Sequence, residues 1–162
     1  MKTLIFFSTL CIAALPALSS AEFVEGELYA GASAGVSIYD ELDTTDVGYK
    51  LYGGYLLNDY FGLDLAYINL GDPASTEFKG VSVSAVANYP LNKQTSMFGK
   101  VGTFVWDISA PNVSSRSGND LNFGVGVNFN AMDNLYIHAE LENYQADSES
   151  IIIYSLGLAL GF

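Results

Sequence analysis

Apolar and polar residues alternate with a period of two over most of the chain after residue 26. Between Leu121 and Phe129 every odd-numbered position carries leucine, valine or phenylalanine, and every even-numbered position carries glycine or asparagine. The segments that begin at Leu28 and end at Phe162 repeat this alternation. Successive side chains of a β-strand point to opposite faces, so the pattern predicts strands with one bulky apolar face.

Eight such segments follow one another, and the connections between them alternate in character. Short connections at 58–60, 91–96 and 131–134 alternate with polar and mostly longer ones at 40–46, 71–79, 108–119 and 146–149. Eight antiparallel strands of roughly ten residues, with turns on one side and loops on the other, describe an all-β up-and-down barrel. The segments lie near 27–39, 47–57, 61–70, 80–90, 97–107, 120–130, 135–145 and 150–162.

The less apolar face of these strands decides between a barrel in water and a barrel in lipid. A soluble eight-stranded carrier would keep its apolar face inside and turn a charged face to water. Here the second face carries mainly Gly, Ser, Ala and Asn. These small residues suit a narrow bore, and the glycines would weaken a solvated strand. We therefore predict a transmembrane eight-stranded antiparallel up-and-down β-barrel with its apolar face against lipid.

Aromatic residues fall near both ends of the predicted lipid-facing surface. Tyr67 and Tyr154 are expected toward the loop ends of their strands. Two aromatic bands are typical of a membrane barrel, whereas packing in a soluble core is the alternative interpretation. The aromatic residues expected at the turn ends are Tyr55, Phe61, Tyr89, Phe129 and Phe162.

The first 21 residues have the layout of a cleaved secretory signal peptide. Lys2 precedes an apolar run at 4–15, Pro16 ends that run, and small residues precede a cleavage point after Ala21. The run is too short to span a bilayer, which takes about 20 apolar residues. Cleavage leaves 22–162 as one barrel domain and removes Cys11, so we expect no disulfide in the exported chain.

Composition and charge narrow the function further. The chain has 18 acidic residues against 6 Lys and Arg, a net charge of −12, which argues against nucleic-acid binding because phosphates are bound by basic side chains. Only 15% of the residues are charged, where a soluble domain has about 25%. With 50% hydrophobic residues the chain is also too apolar for intrinsic disorder.

Several motifs resemble the transmembrane domain of outer membrane protein A. The stretch Tyr29-Ala30-Gly31-Ala32-Ser33-Ala34-Gly35 resembles its first strand. Lys50-Leu51-Tyr52-Gly53-Gly54-Tyr55, with Asn58 and the run at 60–64, resembles its second hairpin, and the run at 80–91 resembles its fourth strand and turn. The chain is thus similar to the outer membrane protein A-like family of small barrels over residues 27–162.

The resemblance implies a location and a role. It implies an integral protein of the Gram-negative cell outer membrane with a structural, envelope-integrity role and at most narrow, porin-like passage of water or small solutes. The implied partners are outer-membrane lipid and lipopolysaccharide, with the C-terminal Phe162 as the signal for the barrel-assembly machinery, and the expected state is a monomer. Because the sequence ends at Phe162, we expect no peptidoglycan-binding domain. Surface attachment through the external loops is the alternative function, although short loops weaken phage-receptor or adhesin roles.

Six charged or ionisable residues fall on predicted inward positions. Charges in a confined bore must pair or keep water, because an isolated buried charge costs several kcal/mol. Lys50 and Asp64 lie on adjacent predicted strands, and Lys100 could reach Glu140 across the bore. A structural charge network is the first interpretation, and a water path or small gated pore is the other. The six residues are Lys50, Asp64, Lys100, His138, Glu140 and Glu142.

The resemblance also bears on these inward charges. The matching positions of the family's barrel carry a buried acid–base network, and Asp64, Lys100, His138 and Glu140 fit it. Val86 and Asn128 stand where that network has charged residues, so we expect a thinner network here.

Catalytic and metal-binding interpretations find little support in the sequence. His138, Glu140 and Glu142 share one strand face, but a single histidine with two carboxylates is a poor transition-metal signature. No serine stands in a recognisable nucleophile context. We predict no enzyme activity, no cofactor and no metal; a lipid-modifying barrel enzyme is the third alternative, which would need His138 to point outward.

The predicted loop side is acidic. This rim is either simply solvated or shares divalent cations with lipopolysaccharide phosphates, since Ca²⁺ and Mg²⁺ prefer oxygen ligands. The positive charges of Lys79 and Arg116 offset part of the negative charge of this rim. The acidic residues are Asp40, Glu41, Asp43, Asp46, Asp72, Glu77, Asp107, Asp120, Asp147 and Glu149.

Overall fold

A computed structural model describes residues 26–40, 43–72, 76–109, 116–146 and 149–162. The predicted signal peptide lies outside these ranges, as do Glu41 and Asp147 of the acidic loop side. In the described ranges no helix is long and apolar enough to cross a membrane. The strands are β1 (Leu28–Tyr39), β2 (Thr44–Leu56), β3 (Phe61–Gly71), β4 (Glu77–Pro90), β5 (Thr95–Ser109), β6 (Arg116–Met132), β7 (Leu135–Ala146) and β8 (Glu149–Gly161).

The strands form one closed antiparallel barrel in chain order. Each strand pairs with the next, and β8 returns to pair with β1, bringing Tyr29 opposite Gly161 and Tyr39 opposite Ile151. Closure leaves no sheet edge, so the backbone hydrogen bonds are made between strands, as a bilayer requires. The predicted eight-stranded up-and-down barrel is confirmed.

Four strands extend two or more residues further toward the loop end than the alternation predicts. β2 begins at Thr44, β4 begins at Glu77, β5 ends at Ser109 and β6 begins at Arg116. The sequence predicts loops at these positions because they are polar. The ladder continues there because strand pairing needs register rather than apolar side chains, and Asp107 is paired with both Lys79 and Ser117.

The bulky apolar face of the strands is the outer face of the barrel. Phe123, Val125, Leu156 and Leu158 are all more than half exposed, whereas Gly124 is buried on the inside. The predicted aromatic bands are exposed as well, which confirms the outward orientation and matches a surface that meets acyl chains. They consist of Tyr55, Phe61, Tyr67, Tyr89, Phe129, Tyr154 and Phe162.

Replacing Leu156 by arginine is expected to lower the free energy of unfolding by about 2–4 kcal/mol. Leu156 is 68% exposed in the middle of β8, so its side chain would place a charge near the centre of the bilayer. Equilibrium denaturant titration in liposomes, followed by the fluorescence of Trp106, measures the loss. Leu160→Arg, on the same face but near the turn end, is the control and should cost only about 0–1 kcal/mol. Equal losses at the two positions would contradict the lipid-facing assignment.

The interior of the barrel differs between its two ends. Toward the turns, many inward positions carry glycine or polar residues, as predicted, but Leu56, Phe98 and Tyr136 also line the bore there. Toward the loops they carry mostly apolar side chains, many of them large, so that at 151–153 both faces of β8 are apolar. We call this group the apolar plug; it consists of Tyr39, Ala66, Ile68, Leu70, Phe78, Phe104, Trp106, Tyr144, Ala146, Ile151 and Ile153.

Candidate functional site in the barrel lumen

Four buried charged side chains meet inside the barrel: Lys50 of β2, Lys100 of β5, and Glu140 and Glu142 of β7. Lys50 Nζ lies 2.6 Å from Glu142 Oε2 and also contacts Glu140 Oε2. Lys100 Nζ lies 2.6 Å from Glu140 Oε1 and also contacts Glu142 Oε1. Each lysine therefore binds both glutamates, and the formal charges cancel. We call these four residues the charged quartet.

The strand pattern and one glycine bring the quartet together. Glu140 and Glu142 are two residues apart on β7 and so share the inner face. Gly124 lies in register between Lys100 on one neighbouring strand and Glu142 on the other. A Cβ at Gly124 would lie 2.9 Å from Glu142 Cγ and 3.2 Å from Lys100 Cε. Because glycine has no Cβ, the space above Gly124 stays open, and the side chains of Glu142 and Lys100 meet there.

The quartet is withdrawn from water. Its side chains are only 1–4% exposed, so each charge has lost most of its hydration and depends on its partners. Tyr144 Oη donates a hydrogen bond of 2.5 Å to Glu142 Oε1. This hydrogen bond joins the quartet to the apolar plug on its loop side.

The apolar plug is held by ring packing and by hydrogen bonds from its polar atoms. The ring centroids of Phe104 and Tyr144 lie 4.8 Å apart at an interplanar angle of 62°. Trp106 Nε1 donates to Asp120 Oδ2 at 2.7 Å, and Tyr39 Oη donates to the Leu70 carbonyl at 2.7 Å. Large side chains with satisfied polar atoms therefore occupy the bore between the quartet and the loops.

Asp64 and His138 lie in the bore on the turn side and do not join the quartet. Asp64 Oδ2 accepts a hydrogen bond of 3.1 Å from Tyr29 Oη, and Asp64 Oδ1 has no hydrogen-bond partner. His138 Nδ1 lies 3.0 Å from Tyr52 Oη, which also lies 3.2 Å from the Leu158 carbonyl oxygen. His138 therefore faces the bore beside a tyrosine. Across the described residues, no three side chains of the His, Cys, Asp or Glu type are grouped to hold a metal ion.

All six sequence-predicted residues are thus buried in the bore, but they separate into two groups. Lys50, on the strand next to Asp64, extends instead to the glutamates of β7. Tyr29 and Tyr52, which bind Asp64 and His138, were missed by the sequence analysis. The alternation that placed Lys50 inward also places Tyr52 inward, so a signal for the tyrosines was present.

Two sequence comparisons both match this chain to outer membrane proteins. A family model described as "Outer membrane protein beta-barrel domain" matches residues 7–162. Outer membrane protein A of Shigella dysenteriae is 26% identical over 123 residues, which cover 65% of this chain and 35% of that protein. The chain therefore spans about a third of the length of the curated relative that it matches.

Solved structures share the barrel. Ail, the attachment invasion locus protein of Yersinia pestis, is 25% identical with a TM-score of 0.63 over 86% of this chain and 100% of that one, and Ail has also been solved in complex with the heparin analogue sucrose octasulfate. The N-terminal β-barrel domain of Pseudomonas aeruginosa OprF is 18% identical with a TM-score of 0.69, over 85% and 98% of the two chains. Neisserial surface protein A is 18% identical with a TM-score of 0.65, over 85% and 100%.

Proposed function

The chain belongs to the outer membrane protein β-barrel family, and from this premise we propose that it is a structural component of the outer membrane whose bore is closed to solutes. The single observation that carries this proposal is the filling of the bore by the charged quartet and the apolar plug. An eight-stranded barrel leaves an interior just wide enough for side chains. Here two successive layers of side chains use that space.

The two layers oppose passage for different physical reasons. Opening the quartet would separate each lysine from two carboxylates in a site where the side chains are only 1–4% exposed, which is costly for buried charges. The plug offers ions and polar solutes few hydrogen-bonding groups in exchange for their hydration, because Tyr39, Trp106 and Tyr144 already donate to protein partners. Largely apolar constrictions of this kind exclude water. The narrow passage of water or small solutes expected from the family resemblance is thus an upper limit.

Recordings from planar lipid bilayers test this proposal. The refolded protein is expected to give no discrete conductance steps, because the bore is filled along its loop-side half. A general porin inserted under the same conditions serves as the positive control. Heat-modifiable gel mobility of the recovered protein establishes that the barrel was folded. Reproducible small conductance steps from folded protein would replace the structural role with a transport role.

The remaining features of the proposed role concern export and partners. We propose that the signal peptide is cleaved after Ala21 and that the exposed Phe162, which follows β8, is read by the barrel-assembly machinery. The outer apolar face of the barrel would contact outer-membrane lipid, and the acidic rim would share divalent cations with lipopolysaccharide phosphates. The proposal includes a monomeric state, no cofactor and no catalytic role, since His138 faces the bore rather than the lipid.

Surface attachment is the second candidate function, and the likeness to Ail is the observation that favours it. Its partner would differ from a sulfated polysaccharide, because the loop side of this chain carries Asp40, Asp43, Asp46 and Asp72, which repel polyanions. We expect that proteoliposomes bearing this protein do not bind to immobilised heparin. Replacing residues 110–115, between β5 and β6, with a short neutral turn is the test of attachment. Loss of adhesion to a cell surface would favour this function, and unchanged adhesion would remove it.

A further inference from the structure

A cavity lies in the bore on the turn side of the charged quartet. Its volume is about 70 Å³, and its lining reaches from Lys50 and Lys100 to Leu56, Asn88 and Tyr136 near the turns. We call this cavity the vestibule. Because one water needs about 10–15 Å³ of such space, the vestibule can hold several waters or one compact ion.

The walls of the vestibule carry an excess of negative charge. The two lysines on its wall are already neutralised by the two glutamates of the quartet. The Asp64 carboxylate also lines the cavity. It accepts a hydrogen bond from a neutral donor, Tyr29 Oη, so it adds a negative charge that the quartet does not balance. A confined site of this sign attracts cations.

Asp64 points most directly to what the vestibule binds. The residue is only 7% exposed, and its Oδ1 atom is buried without a hydrogen-bond partner. The other buried atoms without a partner in the described residues belong to serine hydroxyls and asparagine side-chain oxygens, so Asp64 is the one carboxylate among them. A buried carboxylate oxygen with no donor costs free energy that an N–H donor carrying positive charge would recover.

Aromatic side chains flank this carboxylate. The ring centroids of Tyr29 and Tyr52 lie 6.3 Å apart at an interplanar angle of 58°. The Lys50 ammonium group already lies 5.4 Å from the centroid of the Tyr52 ring. Ring faces attract cations at such distances, so the walls suit a positive charge that has lost part of its hydration.

We propose that the vestibule binds one compact cation with N–H donors, an ammonium or primary alkylammonium ion, and that Asp64 anchors it. One N–H group donates to the Asp64 carboxylate, and the positive charge offsets the excess negative charge of the walls. The tyrosine rings flank the bound ion. This site goes beyond the closed-bore proposal and does not depend on it, because an ion that enters from the turn side needs no path through the quartet.

The only histidine of the chain makes this inference directly testable. His138 lines the vestibule, so its ring NMR signals report on the cavity without overlap from another histidine. The folded protein in detergent micelles is titrated with methylammonium chloride at constant ionic strength, with sodium chloride as the balancing salt. We expect a saturable shift of the His138 signals. Tetramethylammonium, which is larger and has no N–H group, should give no saturable shift.

Two variants separate the site from general electrostatics. Asp64→Asn keeps the shape of the side chain and should weaken methylammonium binding at least about tenfold. Asp133→Asn removes the same charge from an exposed turn at the same end of the barrel and should leave binding unchanged. A non-saturating response of the parent, or equal saturation by tetramethylammonium, overturns the inference even if Asp64→Asn does not fold. Equal affinity of a folded Asp64→Asn variant also overturns it.

Discussion

The Lys100→Met variant should lose about 3–5 kcal/mol of unfolding free energy, the range for a buried charge left without its partner. Lys100 binds both glutamates of the quartet, and its side chain is only 4% exposed. Without it, two buried carboxylates share the single ammonium group of Lys50. Denaturant titration in liposomes measures the change through the Trp106 fluorescence and through heat-modifiable gel mobility.

A second substitution distinguishes lost charge balance from lost packing. Adding Glu142→Gln to Lys100→Met leaves one lysine and one glutamate, so the double variant should regain part of the lost stability. Lys93→Met, in the exposed turn between β4 and β5, is the matched control and should leave the unfolding free energy nearly unchanged. If Lys100→Met proves as stable as Lys93→Met, the network contributes nothing to stability.

Replacing Phe104 by alanine is expected to cost about 3–5 kcal/mol, as for other fully buried aromatic side chains. Phe104 is 0% exposed in the apolar plug and packs against the ring of Tyr144. The substitution removes apolar contacts and leaves a cavity that the rigid barrel wall fills only in part. The same titration measures the loss.

Val105, the next residue along β5, provides the matched control. It points outward and is 55% exposed. Val105→Ala therefore only makes the side chain that contacts lipid smaller, and lipid can fill the space. We expect a clearly smaller loss than for Phe104→Ala. Similar losses at the two positions would mean that the plug packs no more tightly than the lipid-facing surface. Because Phe104→Ala leaves the quartet in place, bilayer recordings of this variant should still show no conductance.

The sequence contained enough information to predict the wall of the barrel. Period-two alternation at 121–129 and 150–162 sets which side chains share a face, and that depends only on the local geometry of a strand. The preference for glycine, serine and asparagine on one face then separates the narrow inside from the lipid-facing outside. Strand ends were less predictable, because residues such as Thr44 and Glu77 join the ladder through backbone pairing that their polar side chains do not signal.

Tertiary structure alone decided what fills the bore and which residues meet there. Alternation placed Lys50 and Asp64 inward, but it contains no information about which inward residues lie at the same height. That height depends on the stagger between strands around the closed barrel, a property of all eight pairings together. The stagger brings Lys50 to the glutamates of β7 and leaves Asp64 beside Tyr29. It also stacks inward residues of different strands into the apolar plug, although nothing local to any one strand distinguishes a bore that is plugged from one that is open.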